Sequence, residues 1–155
     1  MDSQKLKEVA SCFATGVTVI GVHKKDNNVH GMTASSFLSV SLYPPLVMFS
    51  VMKENQMSRL LEPGIPLGIS ILTEDMVVES NHFAKIKKLE TPPSFLLKEK
   101  APILEEAHAW YSTRVEQLIP AGDHDLVLCR VIDLEARKDE NPLIYYQGYQ
   151  KLSLE

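Results

Sequence analysis

The chain has 155 residues, 45% of them apolar and 23% charged, with a formal net charge of −4. That size suits a single domain, residues 1–155, with a sizeable core, and the composition excludes a disordered polar chain. The acidic balance without a basic stripe argues against a nucleic-acid partner. No apolar run approaches a membrane span, and the polar start from Met1 to Lys7 is unlike a signal, so a cytoplasmic protein is expected.

In chain order, Ser3 to Phe13 reads as a short helix capped by Ser3, with Leu6, Val9, Ala10 and Phe13 on one face. The β-branched run from Gly16 to Val22 is a strand, and polar Lys24 to Asn28 turns it into a hairpin with Val29 to Thr33. A Ser/Thr-rich stretch follows and ends at Pro44-Pro45, and Leu46 to Met52 is a third strand. Asn55 to Glu62 reads as a helix stopped by Pro63-Gly64. Ile65 to Leu72 is a fourth strand, whose Pro66 marks a start or an edge. Thr73 caps a second helix that runs to about Lys85.

Residues 86–105 are basic, then broken by prolines, and read as a long loop around a ligand or a partner subunit. Ala107 to Val115, Asp125 to Leu134, and Leu143 to Tyr146 with Tyr149 to Leu152 complete the strands. About seven strands, short helices and no regular strand–helix alternation predict a mainly β, antiparallel barrel rather than a doubly wound parallel sheet.

Cys12 and Cys129 stand far apart and read as buried free thiols, not as a disulfide or a zinc site. The five histidines form no metal-binding spacing, and no metal is expected. Neither a dinucleotide fingerprint, a phosphate loop nor a nucleophile elbow is present.

The stretch from Gly31 to Val47 carries Thr33, Ser35, Ser36, Ser39 and Ser41 among small residues. Small side chains let a flat ligand approach the backbone, and hydroxyls both donate and accept, which suits a polar planar heterocycle with a ribityl-like tail. The plainer reading is a Ser/Thr-rich connection between strands. Gly122-Asp123-His124 sets a histidine at a strand mouth, either beside a redox or proton-transfer centre or within a turn capped by its own aspartate. Lys85, Lys87 and Lys88 either complement a helix C-terminus or attract a phosphate, as Lys53 and Arg59 also would. Tyr145 and Tyr146 fall on opposite faces of a strand and read most simply as packing residues.

Taken in order, these pieces resemble the flavin reductase-like family, the FMN-binding split barrel, and within it the short flavin reductases of two-component monooxygenases. The carriers are Phe13-Ala14-Thr15-Gly16-Val17-Thr18-Val19, His30-Gly31-Met32-Thr33-Ala34-Ser35-Ser36-Phe37, Pro44-Pro45-Leu46, His82-Phe83-Ala84, Gly122-Asp123-His124 and Pro142-Leu143-Ile144-Tyr145-Tyr146. The resemblance implies a Greek-key split β-barrel with short flanking helices, a homodimer, and a flavin, FMN or alternatively FAD, near the dimer interface.

By motif position Met32, Thr33, Ala34, Ser35 and Ser36 would lie along the isoalloxazine and ribityl groups, with Ser50, Val51 and Met52 continuing the pocket. Asn55, Ser58 and Lys85, after Phe83 and Ala84, would approach the phosphate. His124 would lie on the nicotinamide side, and Tyr145 or Tyr149 would close the pocket. The hydroxyls of Thr33, Ser35 and Ser36 are expected to face negative charge growing on the flavin. Ser35 stands where the family often has asparagine, and Gln147 where arginine is common.

The expected function is an NAD(P)H:flavin oxidoreductase, passing hydride from NADH or NADPH to the flavin and supplying a partner flavin-dependent monooxygenase. The alternatives are a flavin-binding electron-transfer or sensor protein without nicotinamide turnover, and a barrel module that acts by association alone.

Overall fold

The computed structural model describes residues 1–137 and 139–152. Helix α1 (Ser3–Ala10) and strands β1 (Thr15–Gly16), β2 (Thr18–His23), β3 (Val29–Ala34), β4 (Leu38–Leu42) and β5 (Pro45–Met52) lead into a 3₁₀ turn, Gln56–Leu60. Then come β6 (Pro66–Ile71), α2 (Val77–Phe83), β7 (Phe95–Lys98), β8 (Ala101–Leu104), β9 (Ala109–Ala121), β10 (His124–Ala136), β11 (Leu143–Tyr145) and β12 (Tyr149–Lys151). Every strand pairing is antiparallel, as the sequence predicts for a mainly β chain.

The main sheet runs β3-β2-β6-β9-β10-β5-β4. Its two edge strands, β3 and β4, are consecutive in sequence and joined only by Ser35, Ser36 and Phe37. Four peptide steps reach about 14 Å at full stretch, so the sheet curls until its edges nearly meet. One core fills the curl. Ala34 of β3 shares it with Val47, Phe49 and Val51 from the opposite end of the sheet, around Ile20, Ile69 and Val127. A second core, built on Val19, Leu72, Leu104 and Leu143, joins the sheet to β8 and to the small sheet β1-β11-β12.

Glycine in a strand interior usually weakens it, unless another chain segment must come close. Gly21 pairs with Gly31 on one side and with Gly68 on the other, so the three form a row on one face across β3, β2 and β6. A Cβ on Gly68 would stand 1.7 Å from the Pro102 carbonyl oxygen, one on Gly21 2.8 Å from the same atom, and one on Gly31 2.4 Å from the Phe83 ring. The row is the seat of β8 and of the last residue of α2.

Several elements depart from the sequence reading. Asp2, not Ser3, caps α1: its Oδ1 accepts from Gln4 N at 2.9 Å, and Ser3 is already helical. That helix stops at Ala10, and none of its residues is buried. Residues 55–62 make a 3₁₀ turn, with Asn55 Oδ1 accepting from Met57 N at 2.9 Å. Thr73 caps nothing. It bridges to Pro142, and α2 starts only at Val77 and ends at Phe83.

The Ser/Thr-rich stretch holds a strand, β4, and the expected loop over 86–105 holds the β7–β8 hairpin. That hairpin turns on Glu99 and Lys100, both at positive φ (48° and 69°). Its conformation is one that Asn-Gly normally announces. Cys129 is buried, with its thiol pushed up to about 12 mainly by that burial, but Cys12 is exposed because α1 has no cover.

Candidate functional site: a cleft between two strand edges

The curl leaves a gap. β3 pairs only with β2, and β4 pairs with β5 only as far as Met48, so Ser50 to Met52 extend past it. Two strand edges without ladder partners therefore face each other, and their main chains offer donors and acceptors to a guest. The cavity between them is about 400 Å³, within the range of small-molecule sites.

Each wall comes from a different element. β3 supplies Met32, Thr33 and Ala34, and the connection after it supplies Ser35 and Ser36. Ser50, Val51 and Met52 form the opposite wall, with Asn55 beyond them. Phe83, Ala84 and Lys85 close one end, and His124, the first residue of β10, stands at the mouth. Ala34 and Val51 are buried in the main core, so they give the cleft little beyond main chain.

Three expected residues lie elsewhere. Ser58 is inside the 3₁₀ turn and does not line the cleft. Tyr145 and Tyr149 line a neighbouring hollow of about 250 Å³ behind Thr33, Ser35 and Ala84. The Tyr149 hydroxyl is held there by Ser80 Oγ at 2.7 Å. His30 and Gly31 line the cleft and were not among the expected site residues, although both belong to the motif that begins at His30. Their signal was a histidine beside a mid-strand glycine.

The hydroxyls divide into structural and free. Thr33 Oγ1 donates to the Ser80 carbonyl at 2.6 Å and fixes α2 against β3. Ser36 Oγ accepts from Ser50 N at 3.0 Å and donates to Ser50 O at 3.3 Å, tying the two walls together. Both donors are therefore committed within the chain, contrary to the expectation that they face a ligand. Ser35 is exposed and makes no hydrogen bond within the described residues. Asn55 spends its Oδ1 on the 3₁₀ turn, which leaves its amide NH₂ as a donor. Lys85 takes positive φ (59°) immediately after the α2 C-cap, a left-handed position usually held by glycine.

Gly122 at φ 65° opens the two-residue turn between β9 and β10, with glycine at the first central position as a type II′ hairpin requires. That turn places Asp123 Oδ1 2.7 Å from His124 Nδ1. The hydrogen bond, and then the charge of the imidazole, hold the Asp123 carboxyl below the usual carboxylate range. The carboxylate thus accepts from Nδ1–H and leaves Nε2 as the ring nitrogen available to a ligand. His30 is pushed down, first by burial and then by Lys85 and Lys24, and is neutral at pH 7.

Among the described residues no group of three or more His, Cys, Asp or Glu could hold a metal, and no helix is long and apolar enough to cross a membrane. The donor set instead fits a flavin: main-chain edges and a free hydroxyl for the polar rim of the ring, small residues along its plane, and an amide and an ammonium for a phosphate.

Comparison with known proteins agrees. Residues 10–153 match the model of the flavin reductase like domain. The chain is 39% identical over 132 residues to the NADH-dependent flavin reductase StyB of Pseudomonas fluorescens, covering 84% of this chain and 77% of that one. It is 33% identical over 150 residues to the reductase component of 4-hydroxyphenylacetate 3-monooxygenase of Thermus thermophilus, covering 96% of both. The solved styrene monooxygenase flavin reductase of Pseudomonas putida S12 superposes with a TM-score of 0.88 at 34% identity, over 97% of this chain and 99% of that one. A match over nearly the whole chain, on the fold that brings the cleft together, makes this protein a member of the flavin reductase-like family.

Proposed function

We propose that this protein is an NAD(P)H:flavin oxidoreductase of one domain. In this reading it binds FMN or FAD in the cleft between β3 and β5, takes hydride from NADH or NADPH, and supplies reduced flavin to a partner monooxygenase. The observation that carries the reading is the meeting of Ser35, Ser50, Asn55, Lys85 and His124 around one cavity between unpaired strand edges. The relatives support the reaction, being named as NADH-dependent flavin reductases or as reductase components of monooxygenases.

A flavin supplies the hydride-accepting ring, so the protein needs no nucleophile of its own. Its residues position and shield. Ser35 and the free main chain of the strand edges donate to the polar rim of the ring, where negative charge grows on reduction. Lys85 and the Asn55 amide hold the phosphate. Phe83 excludes water from one end. His124, oriented by Asp123, positions the nicotinamide through Nε2.

Homodimerisation belongs to the same reading. Helix α1 has no buried residue, and Phe13, Leu42 and Tyr43 are 79%, 77% and 94% exposed, an apolar surface suited to a second copy. Two unpaired thiols suit a reducing, cytoplasmic setting.

The test is to mix the purified protein with FMN or FAD and then with NADH or NADPH, following the visible flavin band. Turnover with either nucleotide is the expected result. Bound flavin that neither nucleotide bleaches would replace the reductase by an electron carrier or sensor. Protein that binds neither flavin would leave a module acting by association alone.

A further inference from the structure

The chain carries six methionines, and the fold covers most of them. Met57 and Met76 are buried, and Met32 and Met48 are half-buried. Only Met1 and Met52 are exposed, Met52 by 47%. Met52 lines the flavin cleft and Met1 does not. Met32 lines it too, but packs against the main core.

The strand sets this placement. In β5 Val47, Phe49 and Val51 point into the core, so Met52 takes the outward face with Ser50. Met52 stands directly opposite His124 where β5 pairs with β10, and such neighbours bring their Cβ atoms to about 5 Å. The thioether therefore shares the cleft mouth with the imidazole. Leucine would present a similar apolar surface there. What methionine adds is a polarisable, oxidisable sulfur.

Both residues at the mouth meet solvent, so dissolved dioxygen reaches whatever the cleft holds. When no acceptor protein takes the two electrons of a bound reduced flavin, dioxygen takes them with two protons. Oxidised flavin and hydrogen peroxide result. A lone pair of the Met52 sulfur then takes one peroxide oxygen, the O–O bond breaks, and the other oxygen leaves as water. The thioether becomes a sulfoxide.

We propose that Met52 is a modification site, oxidised to its sulfoxide by peroxide formed in the cleft from reduced flavin and dioxygen, and that this oxidation weakens flavin binding when no acceptor is at hand. The proposal rests on the flavin reading of the cleft. The sulfoxide puts a polar, larger group on one wall of the cleft, and methionine sulfoxide reductases undo it.

FMN binding is measured first, by titration. Protein that binds no FMN refutes the flavin reading, and the proposal with it. FMN is then photoreduced on the protein with EDTA and light in the absence of air, so that the test does not depend on NADH. Air is admitted over repeated cycles, and each methionine is followed by peptide mass spectrometry. Met1 is the reference, being more exposed and outside the cleft.

Sulfoxide at Met52 should exceed that at Met1 about tenfold, as for a reagent released beside its target. The excess should persist with catalase in the solution. Hydrogen peroxide added to the flavin-free protein should instead oxidise Met1 at least as fast as Met52. FMN affinity should fall about tenfold in step with Met52 oxidation, and return after treatment with methionine sulfoxide reductases A and B. Met52→Leu should keep its own starting affinity through the same cycles. Equal oxidation of Met1 and Met52 with FMN bound, or loss of the excess on adding catalase, would assign the chemistry to bulk peroxide and overturn the proposal. Unchanged FMN affinity after complete Met52 oxidation would overturn its effect on binding.

Discussion

The two flanks of the curled sheet are finished differently. Across β3, β2 and β6 the chain supplies its own cover, and three aligned glycines let the Pro102 carbonyl and the Phe83 ring settle onto the strands. Around β4 and α1 there is no cover: Leu38, Leu42, Tyr43 and Phe13 face outward, and no residue of α1 is buried. The first flank is a closed intramolecular joint that leaves no room for a Cβ. The second leaves large apolar side chains in solvent. The cleft draws Gly31 and Phe83 from the first flank, so that side of it is fixed by packing.

The comparison breaks first at Gly68. Gly68→Ala drives a Cβ into the Pro102 carbonyl and should cost about 3 kcal/mol or more, the upper range for overpacking. Gly16→Ala, where the added Cβ meets nothing within 4 Å, should stay within about 0.5 kcal/mol. Equal melting temperatures for the two variants would show that the glycine row does not constrain β8.

On the open flank, Leu42→Arg should convert a dimer to folded monomer in analytical ultracentrifugation, weakening association by about 2 kcal/mol, as for an interface hot spot. A wild-type protein that sediments as monomer would remove the contrast at once.

In the cleft, Ser36→Ala deletes both bonds to Ser50 and should lower stability by about 1 kcal/mol, with weaker FMN binding. Full FMN affinity at unchanged stability would mean that the walls hold their spacing without this tie.

The smallest effect concerns His30. Its folded pKa lies below the ordinary value of 6.5, so the unfolded chain takes up the proton first as pH falls. Stability from this group is therefore complete above that value and declines as pH drops below it. Lys85→Ala should raise the His30 pKa in an NMR titration and flatten the decline. A wild-type His30 that titrates at 6.5 or higher would contradict the combined effect of burial, Lys85 and Lys24.

Much of this architecture was legible in the residues. The β-branched run that became β2 and the apolar runs that became β5 and β10 name strands by themselves, and the hydroxyl-rich stretch marked one wall of the cleft. The β7–β8 hairpin was not legible. Its turn residues, Glu99 and Lys100, carry no preference for the left-handed conformation they adopt, so long-range packing of Pro102 on Gly21 and Gly68 must impose it. Nor could sequence tell which hydroxyls face a ligand. Thr33 and Ser35 differ little as residues, and only the fold commits one to the Ser80 carbonyl and leaves the other exposed. The placement of Tyr145 and Tyr149 failed for a similar reason: a short third sheet sets them one layer behind the cleft.

The Ser36 hydroxyl grips both main-chain groups of Ser50 with no guest needed to complete it. The aperture accordingly has its width before any molecule enters, and little freedom of the walls remains to be surrendered on association. A slot of fixed gauge selects flat molecules by their thickness and turns away those that would have to pry its walls apart.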